Sequence, residues 1–206
     1  MEFNLKQVNN NEITLEATWL GNVEPHTGSM IQSYISEMMY NQNQTELVEA
    51  YNLQPFIVNV LTKERTFCEK IMGLVKFSFS ENAIADLNDK VRHIYDIHKL
   101  LQNEEVNSFF IEPAFEELFL KVANDDIKSY KNAHAWLANH PSTAILFSDT
   151  ANIWTEIRKT YNTDFRSIVF GDFPSEKDIM DTLNKVFTRL KTIKWTIELN
   201  EIPRSA

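Results

Sequence analysis

The first third of the chain alternates apolar and polar positions, and most of the remainder recurs every three to four residues. In "EITLEATWL" the apolar Ile13, Leu15, Ala17 and Trp19 fall on one face and Glu12, Thr14, Glu16 and Thr18 on the other, the two-residue period of a half-buried strand. "EFNLK" ahead of it places Phe3 and Leu5 on one face, and "NNN" at 9–11 is turn chemistry, so the opening predicts a hairpin with Glu16 on its polar side. "NVEPHTG" then breaks the pattern with Pro25 and Gly28, after which Met30, Ile31, Tyr34, Ile35, Met38 and Met39 return at helical spacing. That spacing predicts an amphipathic helix, followed by a shorter one ending near "YNLQP". "PFIVNVL", brief and β-branched between Pro55 and Thr62, predicts a last strand.

Beyond Thr62, a residue suited to cap a helix, the period is helical. Phe67, Ile71, Leu74 and Val75 form one stripe, and Val91, Ile94, Tyr95, His98 and Leu101 the next. Further helices are expected around 113–138, 149–160 and 175–193, the last opened by "SEKD", a Ser-x-x-acid capping pattern. Trp136, Trp154 and Trp195 are expected as packing anchors. The order predicts an α+β fold: a small, mostly antiparallel N-terminal sheet region over 1–61 and a mainly helical region over 62–206.

Composition narrows the function classes. With 20 basic and 29 acidic side chains the formal net charge is −9, which offers bulk nucleic acid no long-range attraction, so any RNA contact needs a local basic patch. Cys68 is the single cysteine, and the N-terminus lacks the basic start and apolar run of a secretory signal, so a reducing cytoplasm is expected. No stretch approaches the ~18 consecutive apolar residues of a membrane span, so no membrane partner is expected. The four glycines, at 21, 28, 73 and 171, leave no glycine-rich phosphate loop of the GxGxxG or GxxxxGK[ST] kind.

Two stretches carry candidate chemistry. In "ERTFCEKIM" Lys70 lies at the rim of the apolar stripe; its stem can run along the core with the ammonium in water, or the ammonium can hold phosphate oxygens. In "VRHIYDIHKLL" Arg92 and Asp96 stand four apart, a spacing that ordinarily gives a surface ion pair of ~0.3–0.5 kcal/mol. His93 and Tyr95 add donors of other kinds within the same turn, a mixture that suits a polar cleft better than a solvated face. His93 and His98 are five apart and point differently, so no zinc site is expected there. Cys68 reads as a small core residue. Asp125 and Asp126 are adjacent and diverge by ~100° on a helix, which argues for a solvated face or a helix interruption rather than a metal site.

These stretches also carry a resemblance. "VLTKERTFCEKIM" resembles the strand-to-helix "VL.PERTFWEK" segment, and "VRHIYDIHKLL" the "R..RHYYDLY.L" segment, of the AbiEii/AbiGii abortive-infection toxin family of nucleotidyltransferases. "FEELFLKVANDDIKSYKNAHAWL" and "FGDFPSEKDIMDTLNKVFTRLK" extend the likeness over most of the 206 residues. The resemblance implies a polymerase-β-like core, whose site opens with a Gly-Ser turn and a metal-binding Asp-x-Asp pair and adds a third carboxylate from a later strand. Glu16 maps onto that strand, Lys70 onto the residue facing the nucleotide phosphates, and Asp96 with Arg92 onto the later acid and base, while His93 stands where some members have an acid. Glu16, Lys70 and Asp96 are thus the catalytic candidates, and Lys70, Arg92 and His93 the nucleotide-binding ones.

No Gly-Ser and Asp-x-Asp arrangement precedes Glu16. The resemblance therefore implies the C-terminal portion of a member, in which Glu16 holds metal only if the missing carboxylates are supplied. Mg2+ and an NTP, the cofactors of the intact family, are then not expected to bind this chain tightly. The implied activity is nucleotidyl transfer from an NTP to an acceptor such as RNA by a phage-defence toxin under a cognate antitoxin, inactive as this truncated chain. The alternative is a non-catalytic remnant or split subunit that binds an antitoxin, a complementary N-terminal polypeptide or RNA.

Overall fold

The computed structural model describes residues 24–128 and 134–199 in full, and the backbone alone of Ser129 and of the pairs 3–4 and 16–17. The backbone of the expected opening hairpin is there: β1 (Phe3–Asn4) runs antiparallel to β2 (Glu16–Ala17), with Phe3 opposite Ala17 and Asn4 opposite Glu16. The faces predicted for the side chains of "EITLEATWL" lie outside the described residues.

Residues 23–62 make a unit of their own. It runs β3 (His26–Ile31), α1 (Tyr34–Asn41), α2 (Thr45–Ala50) and β4 (Phe56–Leu61), with the two strands antiparallel from His26 opposite Leu61 to Ile31 opposite Phe56. The sequence places a break where β3 stands and starts the helix at Met30; both expectations fail. Six residues of ladder pairing with the β-branched β4 outweigh the weak strand propensity of "HTGSM". Gly28 belongs there by fit, since a Cβ at that position would come within 3.3 Å of the Ile57 side chain. The helix begins only after Ser33, whose extended backbone and side chain cap the Ser36 N–H at 3.1 Å. Asn43 and Asn52 end the two helices with φ of 59° and 52°, a left-handed conformation that asparagine tolerates. Among the described residues the sheet region is therefore two separate antiparallel pairs.

The second unit is helical after residue 62. α3 (Lys63–Ser78) buries Phe67, Ile71, Leu74 and Val75, the predicted stripe, and ends where "SFSEN" leaves no further apolar periodicity. α4 (Ala83–Asp89) and α5 (Val91–Leu101) follow, the latter burying Val91, Ile94 and Ile97. α6 (Glu104–Ile111) and α7 (Pro113–Ser129) bring in the aromatic centre of the core: Phe115 lies within 5.0–6.1 Å, ring centre to ring centre, of Phe67, Phe109, Phe110 and Phe119.

The later boundaries are shorter than the periodicity suggests. α7 is described as far as Ser129, and Ala135–Ala138, which the periodicity puts in the same helix, is a separate 3-10 turn. α8 (Ile145–Ser148) precedes α9 (Thr150–Thr160), which runs on into a π-helical turn at Tyr161–Phe165. α10 (Glu176–Leu190) opens with the expected capping box, the Ser175 hydroxyl taking the Asp178 N–H while the Asp178 carboxylate takes the Ser175 N–H. Trp154 is buried; Trp136 and Trp195 pack half-buried on the same core, Trp195 donating its indole N–H to the Leu137 carbonyl at 2.9 Å.

Candidate functional site

The seam between α3 and α5 brings the two sequence motifs together. Because the helices run antiparallel, contacts pair in sequence-reversed order: Lys70 meets Asp96, Gly73 meets His93, and Lys90 lies over the Phe77 ring at 5.1 Å. Lys70 Nζ is 2.9 Å from Asp96 Oδ2, with only 19% and 26% of the two side chains exposed. Arg92 Nε reaches the same oxygen at 3.7 Å from a side chain that is 67% exposed. The Lys70 ammonium is therefore fixed to a carboxylate rather than loose in water, while its stem follows the core rim.

His93 sits in the middle of this seam, half-buried, with its ring edge 3.5–3.6 Å from where a Cβ on Gly73 would be. Burial pushes its pKa down to about 4, and the neighbouring Lys70 and Lys90 charges push the same way, so the imidazole is neutral near pH 7. Its Nδ1 is buried without a partner. His98 belongs to a different contact. Gln102 donates to its Nε2 at 3.0 Å, which leaves Nδ1–H to bond the Thr182 hydroxyl at 2.8 Å and tie α5 to α10. Cys68 is fully buried and burial raises its thiol pKa, in keeping with the core role expected of it.

A charged cluster that sequence reasoning missed lies on another side of α3. Arg65 is 2% exposed and donates from Nε to Glu69 and from a terminal nitrogen to Asp125, each at 2.7 Å. Burial works against its charge, but the bonds to Asp125 and Glu69 more than offset that and raise its pKa. The expectation of a solvated or interrupted helix at Asp125 and Asp126 is therefore wrong: α7 is continuous there and Asp125 is buried. A signal existed in the spacing, since Asp125 and Asp126 extend the α7 stripe of Phe115, Phe119 and Val122 by three and four residues.

Asp126 has no such guanidinium contact, and burial raises its carboxyl pKa to about 6, with Lys76 opposing and Glu69 reinforcing the shift. A carboxyl whose folded pKa lies above its unfolded one favours folding below the unfolded value and loses that contribution as pH rises through about 6. Asp126→Asn is accordingly expected to stabilise the chain at pH 7–8 by roughly 1–2 kcal/mol, discounted for partial exposure, and by nothing below about pH 4. Urea unfolding of both proteins at the two pH values checks it; an equal gain at both would contradict the assignment.

A family model described as nucleotidyl transferase AbiEii toxin, type IV TA system, matches residues 3–193. The chain belongs to this family. No curated protein and no solved structure matches it. As an AbiEii-family protein it is a nucleotidyl-transferase-type toxin of a toxin–antitoxin system, which implies a cognate antitoxin. No described helix is long and apolar enough to cross a membrane.

Among the described residues no three histidine, cysteine, aspartate or glutamate side chains gather where they could hold a metal ion, and the Asp96 oxygen already faces an ammonium and a guanidinium. These residues do not by themselves fit Mg2+. The backbone of Glu16 is in β2, but its side chain is outside the described residues. Two surface grooves, of about 270 and 540 Å3, are lined by α10 together with His98, Leu101 and Gln102 of α5 or Phe110 and Ile111 of α6, and neither includes Lys70, Arg92, His93 or Asp96.

Proposed function

We propose that Lys70 and Arg92, held by Asp96, receive the triphosphate of an NTP, and that the completed centre transfers its nucleotidyl group to an acceptor such as RNA. The Lys70–Asp96 pair is the observation that carries this reading: two motifs 26 residues apart deliver opposite charges to one half-buried point. A triphosphate is a concentrated anion. Lys70 offers it a compact point charge, and Arg92, mostly exposed, a planar fork that fits two phosphate oxygens. Asp96 orients Lys70 and keeps the ammonium aimed between visits of the ligand. Phosphoryl chemistry depends mainly on such positioning and charge stabilisation. Glu16 is assigned to the metal carboxylates of the completed centre, and Lys70 and Arg92 to nucleotide binding.

Titration of the purified full chain with ATP, CTP, GTP and UTP tests the reading. Saturable binding that weakens steeply as salt rises is expected. Absence of binding for all four would overturn the site. Label transfer by the chain alone would show that its own residues complete the centre.

A second reading, a non-catalytic subunit that seats a partner polypeptide, draws on the β3–β4 ribbon, whose cross-strand neighbours Met30 and Ile57 are 62% and 68% exposed. Capture of the cognate antitoxin by a chain that binds no nucleotide would favour it.

A further inference from the structure

We propose that His93 presents a neutral Nε2–H donor to an oxygen of the bound nucleotide beside Lys70, and that Gly73 is the opening through which it does so. This rests on the nucleotide-site reading above and adds to it a contact of a different chemical kind.

Three observations carry it. The His93 side chain is half-buried in the Lys70–Asp96 seam, and its Nδ1 is sealed off with no hydrogen-bond partner. Sealing a bare acceptor is tolerated somewhat better than sealing an unpaired N–H, which places the proton of the neutral ring on Nε2. Nε2 is not among the buried side-chain atoms left without a partner. It lies against α3 where residue 73 has no side chain, 3.6 Å from the position a Cβ would take, and Gly73 is itself only half-buried. Any larger residue at 73 would lie over that nitrogen. The groups around the ring are Lys70 and Lys90, Arg92 and Asp96; the three cations oppose a charge on it, so the phosphates fall to Lys70 and Arg92 and the imidazole is left as an uncharged donor.

A phenylalanine would fill the same space without leaving a buried nitrogen unpaired. Packing alone therefore favours Phe, and a polar ring held there at a cost in stability marks a position kept for ligand contact. The signature is stability and affinity moving in opposite directions. His93→Phe is expected to raise Tm while weakening ATP binding about tenfold, the effect of one lost hydrogen bond to a charged or strongly polar oxygen. His93→Gln, which keeps an N–H donor, should stay within about threefold of the native chain. Gly73→Ala should also raise Tm, because alanine is the better helix former and its Cβ would sit at ordinary contact distance, yet it should weaken ATP binding by covering Nε2. Long-range 15N NMR of the full chain should report the Nε2–H tautomer and a shift of that nitrogen on adding ATP.

The outcomes separate the two proposals. If Lys70→Ala abolishes ATP binding while His93→Phe binds like the native chain, or if NMR finds the proton on Nδ1, the His93 assignment fails and the site stands. If Lys70→Ala binds like the native chain, or the native chain binds no ATP, the site fails and the His93 contact with it.

Discussion

Arg65→Ala is expected to destabilise the chain by about 3–5 kcal/mol, the cost of leaving a buried carboxylate without its cation. Arg65 is 2% and Asp125 6% exposed, and the guanidinium spans α3 and α7 with a 2.7 Å bond on each side. Removing it strands Asp125 in a site with little water to take over, beside Asp126, which is already raised toward protonation by burial. The penalty belongs to the broken pair rather than to the net worth of the pair. A double variant, Arg65→Met with Asp125→Leu, should therefore recover most of the loss. Urea midpoints for the native chain, the single variant and the double variant decide this. A single variant within about 1 kcal/mol of native would mean that water reaches Asp125 after all.

The second large effect concerns the seam and has two signs. Lys70→Ala removes the point charge and is expected to weaken inorganic triphosphate binding by well over tenfold. Asp96→Asn should do the reverse. At present the ammonium is 2.9 Å from a carboxylate that any phosphate oxygen must displace or share. Neutralising that carboxylate removes both the competitor and a like charge facing the ligand, so triphosphate binding should tighten several-fold. The same change loosens the aim of Lys70. Calorimetry with triphosphate reads both variants. If both variants weaken triphosphate binding, Asp96 contacts the ligand through some other partner and the roles assigned here are wrong.

Much of the helical part is legible in the sequence. The stripes of α3 and α5, the "SEKD" cap and β4 came straight from period and capping chemistry, because those elements bury one face and end on residues with a local reason to end there. The Lys70 and Asp96 motifs can be named in the sequence, and their 2.9 Å approach follows once α3 and α5, with the short α4 between them, pack antiparallel. What failed failed where tertiary pairing outweighs local preference. β3 runs through Gly28 and Ser29, weak strand formers held by the ladder to β4, and a helical count begun at Met30 starts inside that strand. Arg65 and Asp125 were missed for a related reason: a charged residue reads as surface until its opposite, 60 residues away in sequence, is known to sit against it.

α3 carries the structural cation Arg65 and the site cation Lys70 five residues apart, on different sides of one helix. A screen for loss of nucleotide binding would score the two alike, the first because the chain unfolds and the second because the point charge is gone. Soluble yield sorts them apart: a non-binding Lys70 variant should accumulate to native levels, whereas a non-binding Arg65 variant should be cleared by proteases.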